Sequence, residues 1–566
     1  MRPWRITLAA LAALSGAACL CLPVAVAQSR AKLVRLPLPK YDGTLTPYTF
    51  EVGYPLVTLV YDTLLWRDEG GVARPWLARS VKRSAGGKRV TIRLRNGVRW
   101  HDGRPLTAAD VAFTFDYVAR RYHPRFTPQL SDVAQVRAAD RLTVTVDLRR
   151  PSLGFDDQPL ADLPILPRHL WQGLPGSALP AGPAVGSGPY RLVEARRGTG
   201  YRFQANRAYF LGRPAVDRIR VPIIRQEART YSALRRRNVD MLPVSLPEQA
   251  ARGLGRSFGI NVSNGASYFG TALLFNVRRT PFDRPEARRA VARSLDLKRI
   301  VQNVGPGTPA DRGYVHPSSR WASRARLHRF DLTAASDALS ELRLPAIRVL
   351  APENDPVRRE AGRQVALALR RGGAKATLVE LSPAKLGRAI GEDGASPSFD
   401  AAIVSTPALA SYDPDFLQRL FGSDSRSSPL NYAGYRSQAF GALAERVALA
   451  PDRAARRRAV DAELRLLARD LPAVPLFFSE GSFAYRPAIH DGWVYVKGAG
   501  ILDKRSFLAG GVSKPARAAG EEGRGTEEDS VSSTLEILRV ASLVALAIAL
   551  AVGGFALFQR LRTHRG

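Results

Sequence analysis

The stretch NGVRWHDGRPLTAADVAFTFDY, from Asn96 to Tyr117, decides the local fold because it combines turns, a helix cap and an amphipathic helix. Just before it, residues 90–94 alternate apolar and polar side chains, which predicts a half-buried strand. The pair Asn96-Gly97 predicts a tight turn, because both residues tolerate positive φ. Residues 98–100 are expected to return as a short strand.

The second half of the stretch predicts a turn followed by a helix. His101-Asp102-Gly103 forms the turn, with His101 as a stabilising residue, and Pro105 ends strand pairing because it has no amide hydrogen. Thr107 and Asp110 match a helix N-cap with an acidic residue at the third position. The predicted helix presents one apolar face, made of Val111, Phe115 and Val118. An ordinary hairpin and helix of some α/β protein would satisfy the same physics.

The rest of the chain carries further motifs in a fixed order. From Lys32 onward, short apolar strands alternate with helical patterns and no internal repeat is evident, which predicts an α/β fold. The motifs are YDTLL at 61–65, RPWLA at 74–78, VGSGPYRL at 185–192, NRAYFLGRPAVDRIRV at 206–221, ALRRRNVD at 233–240, FN at 275–276 and PFD at 281–283, with a helical segment at 288–300.

Several motif residues have a structural interpretation. Gly186 and Gly188 are expected to let the chain turn tightly before a strand. Asp283 is expected to cap a helix that has Pro285 in its first turn, where a missing N–H costs nothing. The inward face of that helix is predicted to consist of Ala287, Ala290, Val291, Ser294 and Leu295.

Taken together, these motifs resemble the family 5 extracytoplasmic solute-binding proteins of ABC importers, which bind dipeptides, oligopeptides, nickel or oligosaccharides. The resemblance covers nearly all of residues 30–500 and implies a two-lobed periplasmic-binding-protein fold of type II with an extra subdomain. Ligand would bind in a cleft between the lobes, and a transporter would recognise the closed form. The implied boundaries are 28–56, 184–270 and 487–512 for the first lobe, 57–183 for the extra subdomain and 271–486 for the second lobe, with hinge crossings near 270 and 487.

The binding site departs from the peptide-binding members. Those members commonly place an Asp four residues before the Pro of an Asp-Pro pair, where its carboxylate meets the ligand's amino group. Here the pair is Asp413-Pro414, and Ala410 stands at the Asp position. A basic cleft poor in amine acceptors is therefore expected, which an anionic or sugar-like ligand would fit about as well as a peptide.

Five residues are candidates for ligand contacts. Tyr48, Phe275 and Tyr412 would form an aromatic wall, although core packing would explain each of them equally well. Asp413 could replace the missing carboxylate, as could Asp415, but both also suit the cap of a helix that starts near Phe416. The candidate set is completed by Asn276, which follows Phe275 in its motif.

The N-terminus predicts export. Arg2 and Arg5 precede an apolar run from Ile6 to Ala27 that closes on Ala25-Val26-Ala27, a small-x-small cleavage pattern. We therefore expect a secretory signal peptide over residues 1–27, with an uncleaved anchor as the alternative. Both cysteines lie inside this run, so disulfides and cysteine-ligated zinc are excluded for the exported chain.

The C-terminus predicts a membrane anchor. Residues 540–558 carry no charge and would span about 28 Å as a helix, near the thickness of the hydrocarbon core. They follow a polar linker, 513–539, and precede a basic tail, 559–566, which the positive-inside rule assigns to the cytoplasm. The binding domain is thus expected on the outer, periplasmic face of the cytoplasmic membrane.

The formal net charge of +34 does not indicate nucleic-acid binding. Most arginines are scattered singly or in pairs, and an export signal argues against such a partner. The runs at 235–237 and 456–458 sit in helix-like sequence and are predicted to be solvated faces. Attraction to anionic lipid or ligand is physically reasonable but unspecific.

The sequence contains no complete enzyme motif, and no cofactor is expected. Residues 255–259 fit G-x-S-x-G, but an Arg/Gly-rich segment precedes them where a nucleophile elbow needs an apolar strand. The chain shows no complete P-loop, dinucleotide fingerprint or H-E-x-x-H. We therefore expect the membrane-tethered substrate-binding component of an ABC importer, with permease and ATPase subunits as partners. The alternative is a membrane-anchored ligand sensor or assembly partner that keeps the fold without transport.

Overall fold

The structure, a computed structural model, describes residues 32–50, 53–84, 86–174, 178–392, 394–424 and 427–508. The predicted signal peptide, linker, membrane helix and basic tail all lie outside the described residues. Among the helices of the described ranges, none is both long and apolar enough to cross a membrane.

Strands and helices alternate along the described chain. The strands are β1 (Val34–Arg35), β2 (Leu65–Arg67), β3 (Ala73–Pro75), β4 (Ala78–Arg83), β5 (Arg89–Leu94), β6 (Val133–Ala138), β7 (Thr143–Leu148), β8 (Tyr190–Arg196), β9 (Gly200–Ala205), β10 (Arg218–Val221), β11 (Asn261–Phe275), β12 (Gly307–Pro309), β13 (Ile347–Pro352), β14 (Ala376–Leu381), β15 (Ala401–Thr406) and β16 (Ala473–Tyr485). The α-helices are α1 (Tyr54–Val60), α2 (Ala108–Arg120), α3 (Arg168–Trp171), α4 (Glu227–Arg235), α5 (Glu248–Gly255), α6 (Pro285–Ser294), α7 (Leu297–Val304), α8 (Leu332–Leu342), α9 (Pro356–Arg371), α10 (Pro383–Ile390), α11 (Leu409–Tyr412), α12 (Phe416–Phe421), α13 (Gln438–Ala448) and α14 (Arg453–Asp470). Short 3-10 helices cover Thr127–Leu130, Gly154–Asp156 and Lys504–Phe507.

Three larger sheets organise these elements. A four-stranded sheet has the order β1-β10-β9-β8, and an antiparallel one has the order β4-β5-β7-β6. The third is a six-stranded mixed sheet with the order β12-β16-β11-β15-β13-β14, and buried apolar clusters lie against it. In the predicted division of the chain, these sheets fall in the first lobe, the extra subdomain and the second lobe respectively. The division itself stays a prediction.

β11 and β16 form a long antiparallel ribbon, which connects the two lobes in the predicted division of the chain. Residues 261–266 pair with 480–485, beside the segment that leads into α5. Residues 270–274 pair with β16, and residues 270–275 pair with β15 in the six-stranded sheet. The register of the ribbon shifts between Ala266 and Gly270, close to the predicted hinge crossing.

The stretch around α2 folds largely as its sequence predicts. Thr107 and Asp110 form a complete capping box, in which the Thr107 backbone N–H donates to Asp110 Oδ2 over 2.8 Å. Val111, Phe115 and Val118 are buried together on one helix face. The predicted returning strand at 98–100 is wrong, because β4 and β7 already occupy both edges of β5. Residues 98–106 instead form a small hairpin of their own.

The motif glycines are explained by close backbone approach. A Cβ on Gly186 would lie 1.9 Å from the Val60 carbonyl oxygen, and one on Gly188 would lie 2.3 Å from that of Leu59. His101 holds the same turn, because its Nε2 donates to the Gly188 carbonyl and its Nδ1 accepts from the Gly186 amide.

The start of α6 differs from prediction by one residue. Arg284, and not Asp283, occupies the N-cap position, while Pro285 opens the helix as expected. Asp283 instead accepts a hydrogen bond from the Thr280 hydroxyl in the preceding turn. The predicted inward face is confirmed as buried: Ala287, Ala290, Val291, Ser294 and Leu295.

Residues from distant motifs meet at one buried ion pair. The Lys504 ammonium lies 2.8 Å from Asp62 Oδ1, and both side chains are fully buried. The remaining donors to the Asp62 carboxylate are Trp76 Nε1 at 2.9 Å, the Tyr209 hydroxyl at 3.0 Å and the Ser187 hydroxyl at 3.1 Å. The motifs that carry these residues therefore serve to hold the fold together.

Candidate functional site

A cavity of about 790 Å³ lies beside the register shift of the ribbon. Residues 243–249, which lead into α5, form one wall. The opposite wall comes from the end of α7 and the start of α9, at 302–306 and 354–358. Its floor is built from both ribbon strands. In the predicted division of the chain, the cavity thus lies between the two lobes, and we call it the interlobe cleft.

Two large apolar side chains lie exposed in this cleft. Phe269 on the floor strand β11 is 51% exposed, and Val244 on the 243–249 wall is 57% exposed. Exposure of such groups in a concave site is typical of surfaces that become buried on ligand binding. Closure of the cleft would remove both from water.

The charged lining of the cleft is acidic. Among the described residues, Glu227, Glu248, Asp355 and Glu480 line it, against the single cation Arg358. Arg358 Nε lies 2.7 Å from Asp355 Oδ2, so that cation is already paired. The expectation of a basic cleft is therefore wrong, because the excess positive charge lies elsewhere.

Helix surfaces carry part of that positive charge. The run at 235–237 is exposed, as predicted for a solvated face. In the second run, Arg457 and Arg458 are exposed, but Arg456 is only 1% exposed. The prediction of a solvated face is wrong for Arg456, because it falls on the inward face of α14 together with Val460 and Leu467.

Two carboxylates suit a cationic ligand group. Glu480 is exposed on β16, and its side chain makes no ion pair with any described residue. Glu248 pairs with exposed Arg252 through Oε1, while its Oε2 would lie 3.9 Å from a Cβ at Gly305 on the facing wall. Glu227 is engaged by the Tyr231 hydroxyl.

Phe275 and Asn276 lie outside the cleft lining. Phe275 is fully buried in the second lobe, where its ring centroid is 4.5 Å from that of Phe282. The Asn276 amide donates to the Phe399 carbonyl over 3.1 Å and so ties the end of β11 to the loop before β15. Both residues have packing roles in the structure.

Tyr48 lies away from the cleft. Its ring packs edge-on against Tyr117 and His123 at centroid distances of 5.8 and 5.2 Å. Its hydroxyl donates to the Arg121 carbonyl over 3.1 Å. These contacts join the start of the first lobe to α2 of the extra subdomain.

Tyr412 lies behind one edge of the cleft. Its ring centroid is 5.3 Å from that of Tyr268, and its hydroxyl donates to the Lys497 carbonyl next to the cleft-lining Gly498. Arg67 stacks on the ring at 4.5 Å. Tyr412 therefore joins the second lobe, the extra subdomain and the C-terminal loop.

Asp413 is buried and belongs to a different site. Its Oδ1 lies 2.5 Å from Arg456 Nη2, and it does not line the cleft. Helix α12 starts at Phe416 as predicted, with Asp415 at the N-cap position but without a side-chain cap. Ala410 is fully buried in the core and is not among the residues that line the cleft.

Sequence reasoning missed Phe269 and Glu480, although each carries a signal. Phe269 lies between buried Tyr268 and buried Gly270, so a large aromatic falls on the exposed phase of a strand. Glu480 is the lone carboxylate of the apolar strand β16. A residue that breaks the pattern of a well-defined strand is a sound indicator of a site.

Comparison with known proteins gives a consistent picture. Residues 72–428 match the family described as bacterial extracellular solute-binding proteins, family 5 Middle. The oligopeptide-binding protein AppA of Bacillus subtilis (strain 168) is 24% identical over 265 residues, which are 46% of this chain and 48% of that protein. The dipeptide-binding protein of Escherichia coli (strain K12) is 26% identical over 275 residues, 44% of this chain and 50% of that protein.

The chain thus spans about half the length of the curated relatives it matches. The likeness in structure is broader. The crystal structure of the ABC transporter substrate-binding protein CtaP from Listeria monocytogenes superposes with a TM-score of 0.76 at 21% identity, and covers 85% of this chain and 99% of that one. This likeness confirms the predicted two-lobed α/β fold. The chain belongs to family 5 of the bacterial extracellular solute-binding proteins.

Proposed function

We propose that this protein is the substrate-binding component of an ABC importer and that its ligand carries a cationic group, as a peptide does at its N-terminus. The observation that carries this proposal is the acidic interlobe cleft, in which Glu480 has no ion-pair partner among the described residues. Its volume of about 790 Å³ falls within the range of about 300–1,000 Å³ typical of small-ligand sites.

The ligand class follows from the lining of the cleft. A ligand ammonium would pair with Glu480, and Glu248 would approach it from the other wall as the cleft closes. The exposed Phe269 and Val244 would cover apolar ligand groups. AppA and the dipeptide-binding protein are named for peptides, which combine these features.

Closure requires a ligand that binds the closed state better than the open one. The β11/β16 ribbon suits such a motion, because its register shift interrupts regular pairing between the two lobes. The closed form would then dock on a permease driven by its ATPase.

The proposed importer component is also tethered to the membrane. A helix over 540–558 would hold the binding domain on the outer face of the cytoplasmic membrane. The linker would have an r.m.s. reach of roughly 25 Å, enough to engage a neighbouring permease. Export by the signal sequence at 1–27 is part of the same proposal.

The first experiment is thermal unfolding of the full-length protein against peptides of two to five residues, oligosaccharides, metal chelates and anionic metabolites. A ligand at 100 times its Kd should add about 2.7 kcal/mol to the free energy of unfolding. We expect stabilisation by peptides. Selective stabilisation by an anionic class would overturn the cationic ligand, and stabilisation by no class would favour the sensor or assembly role.

A matched pair of variants locates the site. Glu480→Gln should weaken peptide binding by about tenfold or more, because it removes an ionised partner. Glu341→Gln, an exposed carboxylate on α8 outside the cleft, should leave it unchanged. Equal affinities of the two variants would refute the role of Glu480.

A further inference from the structure

A second cavity, of about 470 Å³, lies where residues 128–158 of the extra subdomain meet residues 413–463 of the second lobe. We call it the seam cavity. It shares no lining residue with the interlobe cleft. The helices α12, α13 and α14 form one side, and the two 3-10 helices of the extra subdomain form the other.

A cluster of buried charges lies on the second-lobe side of this seam, and the Arg419 side chain crosses it. Arg456 Nη2 lies 2.5 Å from Asp413 Oδ1 and 3.0 Å from Asp415 Oδ1. The chain passes this cluster at Gly154, where a Cβ would lie only 2.6 Å from Asp415 Oδ2. Across the seam, Arg419 Nη2 donates to Gln158 Oε1 over 2.8 Å.

Besides Asp415 Oδ1, which lies 3.0 Å from Arg456 Nη2, three buried acceptor oxygens of the cavity lining lack a hydrogen-bond donor. They are Gln129 Oε1, Gln418 Oε1 and Glu463 Oε2, and none accepts a hydrogen bond within the described part of the chain. The Gln129 amide is fixed in orientation, because its Nε2 donates to the Arg125 carbonyl and to Asp162 Oδ2. Buried acceptors are nearly always paired, so these orphans around one cavity indicate an occupant that donates hydrogen bonds.

The charge of the lining favours a cation. The acidic residues are Asp132, Asp413, Asp415, Asp424, Glu445 and Glu463, against Arg150 and Arg419. Arg150 is paired with Asp132 at 2.6 Å. Glu463 is 1% exposed and makes no ion pair with any described residue. Burial raises the pKa of the Glu463 carboxyl well above its usual range, which a bound cation would offset.

We propose that the seam cavity binds a small organic cation with several N–H donors, an alkylguanidinium or a primary alkylammonium. Glu463 would neutralise its charge, and Gln129 and Gln418 would accept its remaining donors. A guanidinium offers five N–H groups and an ammonium three, which matches three acceptors. A metal ion fits less well, because the described residues contain no group of three or more acidic, His or Cys side chains placed to hold one.

The position of the site predicts what binding does. Gln129 belongs to the extra subdomain, while Gln418 and Glu463 belong to the second lobe. A cation held by all three would link the two sides and stabilise the seam. The interlobe cleft would remain free for its own ligand.

The test is calorimetric titration of the full-length protein with methylguanidinium, ethylammonium and tetramethylammonium. The first two donate hydrogen bonds, whereas tetramethylammonium has the same charge and no N–H group. We expect binding of the donors and at least tenfold weaker binding of tetramethylammonium. Equal binding of all three, binding of none, or preferential binding of Mg²⁺ in a parallel titration would overturn the proposal.

Two variants assign the binding to the seam. Glu463→Gln should weaken methylguanidinium binding by about tenfold or more, because the ionised partner is lost. Gly441→Leu should block the cavity while every acceptor stays in place, since a Cβ at Gly441 meets nothing within 4 Å and the residue lines the cavity. Glu341→Gln, which lies outside both cavities, should leave methylguanidinium binding intact. Loss in Glu480→Gln alone would assign the cation to the cleft and refute the seam site.

Hydrogen exchange gives an independent readout. Methylguanidinium should slow exchange of the backbone amides of residues 154–158, where the extra subdomain meets the charged cluster. Unchanged exchange there, despite measurable binding, would contradict a site at the seam.

Discussion

Two buried charge clusters in this protein differ in how completely they are satisfied. The Asp62 carboxylate receives four donors, including the Lys504 ammonium, and lies where distant motif residues meet. The Glu463 carboxylate lies in an equally buried place, yet no described residue donates to its Oε2. Burial of a charge is therefore not enough to distinguish structure from function. A saturated cluster holds segments together, whereas an unsaturated one facing a cavity is suited to a ligand.

Breaking the saturated cluster should have the largest effect. Lys504→Met leaves the buried Asp62 carboxylate without its counter-ion, which we expect to cost about 3–5 kcal/mol of unfolding free energy. Urea denaturation of the variant measures this loss. The control is Lys385→Met on the exposed start of α10, which should stay within about 0.5 kcal/mol of the parent. A loss below about 1 kcal/mol for Lys504→Met would mean that the network does not depend on its charge.

Protonation of the buried His101 should have the next largest effect on the free energy of unfolding. Burial lowers the pKa of His101 to about 4, whereas the unfolded chain titrates near 6.5. The unfolded state binds the proton more readily between these values, so stability should fall by up to about 3 kcal/mol as pH drops from 6.5 to 4. In a His101→Gln variant, denaturation over this pH range should show a shallower slope. An identical slope in the variant would assign the acid lability to other groups.

The unsaturated cluster should respond least to loss of its charge. Without added cation, we expect Glu463→Gln to be neutral or stabilising by about 1 kcal/mol, because it removes a carboxylate buried without a partner. Urea denaturation at pH 8, with Glu341→Gln as a matched exposed control, measures the change. Destabilisation by 3 kcal/mol or more would mean that Glu463 is a structural residue like Asp62, and the contrast between the clusters would fail.

The sequence was most informative where the physics is local. The capping box of Thr107 and Asp110, the buried face of α2 and the inward face of α6 depend only on neighbours along one helix. The family resemblance was equally sound, because it rests on motif order. The same motifs misdirected the choice of site residues: Phe275 and Asn276 recur in a motif for packing reasons and lie outside the cleft.

The positions of the charges in the fold could not be predicted from neighbouring residues in the sequence. A run of three arginines reads as a solvated face, yet the α-helical period places Arg456 and Glu463 two turns apart on the same inward face as Val460. The burial of these two side chains depends on segments 40 residues or more from Arg456 in the sequence, such as those that carry Asp413 and Gly154. Likewise, the acidic cleft collects residues from α5, α9 and β16, which no sequence window contains together.

The ribbon between the lobes has a consequence for the order of folding. It pairs Asn261 with Tyr485 and Leu274 with Ala473, so nearly the whole second lobe lies between the partners. Closing so long a loop costs entropy that the ribbon recovers only after the intervening helices and strands have condensed. The edge of β11 that pairs with β16 is therefore expected to stay unpaired until the chain between the two strands has folded. The ribbon is therefore expected to form late in folding, after most of the chain between its two strands has folded.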